Sequence, residues 1–226
     1  MIKHGIDQDA LITQFSQATA KQGEALRKVV NETTLKALQG RELTLANIKQ
    51  VLNTVAKAAS AGAADSPLAK ADVEGLLTKA FAGMDAALEQ AVQAHRKALQ
   101  QLIDQGVSLR ETHVKKALGD IEKMEDTLFA AVRKAAGSSL EGPWAGVLQA
   151  VQGKATGTGV QANATVEQLM DTTQQGLREG RALGLKASQA MLDSYTTLVS
   201  GVLIGMSEAL QQGGAAAAAP ARARKA

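Results

Sequence analysis

The stretch 165–212 constrains this chain more than any other, because it contains no proline and keeps a helical period throughout. At ~100° per residue, Gly176, Gly180, Gly184, Ala187, Ala190, Ser194, Thr197, Gly201 and Gly205 fall on one stripe of small side chains. Leu177, Leu185, Leu192, Tyr195, Val199, Val202, Leu203, Met206 and Leu210 lie beside it, and Arg178, Glu179, Lys186, Gln189, Asp193, Ser200 and Glu208 take the opposite side. The run therefore predicts one long helix with small, large-apolar and polar faces. Each interior glycine costs roughly 1 kcal/mol of helix propensity relative to alanine. Five of them, at 176, 180, 184, 201 and 205, call for a compensating gain. The stripe predicts either close approach by another helix or a marginal helix that reorganises on a lipid or polymer surface.

What the rest of the chain is made of points the same way. Aromatics are 2% of 226 residues and alanine dominates an apolar fraction of 45%, a composition suited to thin bundles in which helices approach closely. With no cysteine, disulfides and thiolate chemistry are excluded, as fits a reducing cytoplasm. No apolar run follows Lys3, so the N-terminus is not read as a secretory signal. The most hydrophobic window, 198–206, falls far short of the ~20 residues a membrane span requires. The whole excess of 25 basic over 22 acidic residues sits in Arg222, Arg224 and Lys225. A neutral body offers a nucleic acid no extended field, and this basic tail supports a weak contact at most.

In chain order, Leu11, Phe15, Ala18, Ala25, Leu26 and Val29 predict a first helix over 7–38, stopped by Gly40. Leu45, Ile48, Leu52, Val55 and Ala59 form a heptad-like seam on a second. Ser66-Pro67 reads as the cap of a third helix, over 67–105, with Leu77, Phe81, Met84, Leu88, Ala91, His95, Leu99 and Leu102 along one side. A capping box at Ser108 and Glu111 opens a fourth, to 136, whose seam is Val114, Leu118, Ile121, Met124, Leu128 and Val132. Glycines at 137, 142, 146, 153, 157 and 159, with Pro143, mark a linker over 137–164, relieved by a short helical turn at 144–151. The expected architecture is all-α: an elongated, coiled-coil-like bundle over 1–136, a glycine-rich linker over 137–164, one long amphipathic helix over 165–212 and an Ala/Pro/Arg tail over 213–226.

No chemistry is apparent. His4, His95 and His113 are far apart, and none has a second histidine or a carboxylate at metal-ligand spacing. His95, on an apolar seam, reads as structural. Paired acids such as Asp120 with Glu122 lie beside lysines on charged faces, and Gly153-Lys154-Ala155-Thr156-Gly157 lacks the spacing of a phosphate loop. No catalytic, cofactor or metal residues are assigned, and the chain is expected not to be an enzyme.

The segments 84–92 (MDAALEQAV) and 188–195 (SQAMLDSY), together with the tail 215–225, resemble the phasins, bacterial proteins that coat polyhydroxyalkanoate storage granules. The resemblance lies in texture and transfers no individual residue. It implies a cytoplasmic, granule-associated protein whose helices lay Leu192, Val199, Val202, Leu203, Met206 and Leu210 on a hydrophobic granule or lipid surface. The rival expectation is a soluble helical scaffold that uses the glycine stripe to dock partner helices. Either way a homo-oligomer is expected, and a nucleoid-associated role through the tail ranks third.

Overall fold

The computed structural model describes residues 7–20, 23–39, 41–64, 69–104, 112–137, 144–151, 153–178 and 195–217. Among these residues there are nine helices and no strand. They are α1 (Gln8–Ala20), α2 (Gly23–Gln39), α3 (Leu45–Ala64), α4 (Ala69–Asp104), α5 (Thr112–Glu122), α6 (Met124–Ala136), α7 (Trp144–Val151), α8 (Gly157–Arg178) and α9 (Tyr195–Ala217).

Local chemistry sets several of the starts. The Asp7 carboxylate accepts the Ala10 N–H at 3.1 Å, and the Thr44 hydroxyl accepts the Asn47 N–H at 3.3 Å. Within α4 the backbone leaves the helix at Asp72 (φ −159°, ψ 63°), and the Asp72 carboxylate accepts the Gly75 N–H at 2.8 Å. Asp72 is thus the effective cap of the body of α4.

Two helices form the centre. α3 packs on α4 and is covered by α1 and α6, while α4 is covered by α2, α8 and α9. Every residue of the predicted seam on α4, from Leu77 to Leu102 and including His95, is buried, and so is every one of the α5–α6 seam from Val114 to Val132. α4 also buries Leu76, Ala80, Ala87, Val92, Ala94 and Ala98. An amphipathic helix needs one dry stripe; a helix dry beyond it has neighbours on more than one side.

The predicted element boundaries require four corrections. The expected first helix over 7–38 is two helices, α1 and α2, which pack against each other; a single straight rod cannot do that. The expected fourth helix is broken by a turn at Lys123 between α5 and α6. The stretch 137–164 holds α7, at the position of the expected helical turn, and the start of α8, so most of its described residues are packed helix rather than linker.

The long helix over 165–212 is the fourth. Thr158 of α8 meets Asp85 of α4 and Gln168 meets Arg96, so α8 runs parallel to α4. Tyr195 of α9 meets His95, while Met206 lies in a groove with Gln90 and Gln93, so α9 runs antiparallel to α4. In one straight helix residues 168 and 195 would stand ~40 Å apart, yet they bond to adjacent residues of α4 at 2.7 and 2.8 Å. The chain therefore reverses between α8 and α9.

A polar clamp seats α8. Its first N–H groups, from Gly157 and Thr158, each donate to the Asp85 carboxylate at 2.9 Å. The Thr156 hydroxyl accepts the Gly159 N–H at 3.0 Å as N-cap and donates to the Glu125 carboxylate at 2.7 Å. Two acids on two helices thus satisfy the unpaired donors of a third, where the helix dipole favours negative charge. The glycines allow this approach: a Cβ on Gly159 would stand 2.4 Å from a Glu125 carboxylate oxygen.

Replacing the carboxylate that accepts two of these donors, Asp85→Ala, is predicted to cost about 1–2 kcal/mol, read as a lower urea midpoint with an unchanged slope.

Among the described residues, the glycines that bring helices together include Gly62 and Gly83. A Cβ on Gly83 would stand 2.6 Å from the Arg27 carbonyl oxygen and 2.9 Å from Val30 Cβ, and one on Gly62 would stand 2.9 Å from Phe15 Cβ. These glycines bring α4 onto α2 and α3 onto α1. Gly201 and Gly205, by contrast, are exposed, and a Cβ on either meets nothing. Gly83→Ala is therefore predicted to destabilise by about 1–3 kcal/mol through overpacking, whereas Gly201→Ala and Gly205→Ala should each stabilise by up to about 1 kcal/mol; urea unfolding of the three variants checks the opposite signs.

Candidate functional site

The candidate site is the seam along which α9 lies on α4 and α2. α9 carries little charge for its length: between Tyr195 and Ala217 the only ionised side chain is Glu208. Val199 and Leu203 are completely buried, and Val202 and Met206 are partly buried against the same core. The opposite side presents Gly201, Ile204 and Gly205, with Ile204 38% exposed. Glu208 apart, the outer side therefore carries almost no charge to hold it in water.

Two polar contacts fix the seam. The Ser200 hydroxyl donates to the Arg41 carbonyl at 3.0 Å, tying α9 to the turn between α2 and α3. At the start of α9 the Tyr195 hydroxyl lies 2.8 Å from His95 Nδ1, with ring centroids 5.8 Å apart. His95 is 2% exposed. Burial lowers the His95 pKa from 6.5 to about 4, with the Leu43 backbone pulling the other way. Burial also pushes the Tyr195 hydroxyl upward, helped by the negative charge of Asp120. A protonated tyrosine beside a neutral imidazole gives a simple pairing, with the Tyr195 O–H donating to Nδ1.

The sequence-predicted positions fall as follows. Val199, Val202, Leu203 and Met206 are brought together, facing the bundle rather than water. Gly201 and Gly205 lie on the outer side of α9. Gly176 lies in α8 and Leu210 in α9, but their surroundings are outside what the structure describes; Gly180, Gly184, Ala187, Leu192, Arg222, Arg224 and Lys225 lie outside the described residues. Sequence reasoning missed the tie between His95 and Tyr195, because nothing local joins residues 100 positions apart. It also missed Asp85 and Glu125, although Thr156-Gly157-Thr158-Gly159 carries the signal of a capped helix start.

Among the described residues, no group of three or more histidine, cysteine, aspartate or glutamate side chains is placed to hold a metal ion. None of the described helices is long and apolar enough to cross a membrane.

The buried imidazole gives the seam a pH dependence of known sign. Because the docked His95 stays neutral to about pH 4 while a released one takes up a proton near 6.5, the released state binds more protons between those values. The docked state then loses stability as pH falls from 6.5 toward 4, in total about 3 kcal/mol at 1.36 kcal/mol per pKa unit. Unfolding midpoints measured from pH 7.5 to 4.5 are predicted to fall steeply below 6.5, and the fall above pH 5 should flatten in His95→Gln.

A family model described as a family of unknown function, DUF6781, matches residues 1–212. No curated protein and no solved structure matches the chain.

Proposed function

The chain belongs to the DUF6781 family, and with no activity attached to that family we propose that it is a non-enzymatic, cytoplasmic coat protein. Its last helix transfers from the bundle to a hydrophobic surface, in the manner of the phasins that its sequence resembles. The observation that carries this reading is α9 itself, a helix of 23 residues with one ionised side chain, apolar toward the core and nearly uncharged toward water.

Released from α4, α9 would lay Val199, Val202, Leu203 and Met206 on the surface. Burial of that apolar area, at ~25 cal/mol per Å², would offset the core contacts given up. The polar ties to His95 and Arg41 add only about 1 kcal/mol each. Granule or lipid association and homo-oligomer formation are parts of this proposal.

A second reading rests on the open space above Gly201 and Gly205. On that reading the protein is a soluble scaffold, and a partner helix settles against the small-residue side of α9 while the bundle stays closed.

The two separate in one experiment. The chain has no native cysteine, and Gln93 and Met206 line a common groove, so a Gln93→Cys/Met206→Cys variant can be bridged with a short bis-maleimide. On the coat reading the unbridged variant sediments with polyhydroxyalkanoate granules and the bridged one stays in solution. Equal granule binding by both sinks the release mechanism. Absence of binding by either, with an oligomer that Gly201→Leu dissociates, leaves the scaffold.

A further inference from the structure

A second feature, away from α9, has the character of a small-molecule site. Between α6 and α7 lies a cleft of about 610 Å³, within the usual range for ligand pockets. One wall is a stripe of α6, Glu125, Phe129 and Arg133, at successive four-residue steps. The other is built by Ala145, Leu148 and Gln149 of α7, and Val151, Gly153 and Lys154 close one end. Gly153 makes that closing turn with φ +81°, a conformation that favours glycine.

The chemistry of the lining is asymmetric. Phe129, Leu148 and Val151 are only partly buried and leave apolar surface facing the cleft. Phe129 is backed by Phe81, with ring centroids 5.8 Å apart, which holds the apolar wall in place. The carboxylate of Glu125 is already engaged, accepting the Thr156 N–H at 3.2 Å and its hydroxyl at 2.7 Å. Arg133 and Lys154 form no salt bridge among the described residues. The cleft thus carries two cations against one occupied carboxylate. Arg133 lies ~12 Å along α6 from Glu125, at the end away from that negative charge.

From this arrangement we propose that the cleft binds a medium-chain carboxylate. Its head group pairs with the Arg133 guanidinium, and its acyl chain lies along Phe129 and Leu148 toward Val151. Guanidinium is suited to two-pronged recognition of a carboxylate, and the apolar wall supplies the area that an acyl chain needs to leave water. A neutral alcohol of equal length would leave Arg133 unpaired, and acetate would leave the apolar wall unfilled. The proposal is independent of the release of α9, since the cleft is built without that helix.

The test is calorimetric titration of the full chain with decanoate below its micellar concentration, with decanol and acetate for comparison. Saturable one-to-one binding of decanoate is expected, with affinity at least tenfold weaker in Arg133→Gln and lost in Gln149→Trp, whose indole would fill the cleft. Both positions are exposed, so the variants should keep the circular dichroism of the parent. Lys28→Gln on α2, and the variant with α9 bridged to α4, should bind as the parent does. No saturable binding, or equal binding by the parent, Arg133→Gln and Gln149→Trp, overturns the proposal.

Discussion

The seating of α8 by Asp85 is the interaction on which the arrangement of the C-terminal half depends. A helix that begins with unpaired N–H groups against a protein surface must find acceptors there, and Asp85 supplies two oxygens to two consecutive donors. Glu125 takes the capping threonine from the side, so the beginning of α8 is fixed against α4 and α6 together. That contact sets the parallel course of α8 along α4, and Arg96 with Gln168 continues it about three turns further along the same face of α4. α9 completes the cover of α4 in the opposite sense.

The parts of this fold that were legible from sequence are those in which a helix reports its own neighbours. The seams from Leu77 to Leu102 and from Val114 to Val132 are spaced for one buried face, and that face is buried. A helix period cannot say which helix supplies the other side of the contact, nor where a polar pair will interrupt a run of helix-forming residues. The stretch 165–212 contains no proline and reads as continuous, but its two described helices lie along one partner in opposite directions. Continuity of pattern constrained each segment without constraining the join.

Glycine illustrates the same limit. A glycine inside a helix signals a local cost, and the sequence offers no measure of whether a neighbour repays it. Gly62 and Gly83 stand where backbones meet, with no room for a methyl group, while Gly201 and Gly205 look outward. Glycines 157 and 159, read as part of a linker, open a helix against carboxylates. The candidate site was legible in half: the apolar residues of α9 were identifiable by spacing, but the tyrosine and histidine that lock its beginning stand 100 positions apart in the chain.

The parallel course of α8 also fixes when the fold can be completed. The donors at Gly157 and Thr158 lie 72 and 73 positions beyond Asp85, and Ser200 lies 159 beyond Arg41. Contacts that span such separations close late, because the loop entropy is lost before the contact forms. During synthesis, α1 to α6 emerge and associate while the faces of α4 destined for α8 and α9 remain uncovered. The apolar residues there therefore stay uncovered for the whole interval in which the last third of the chain is being made.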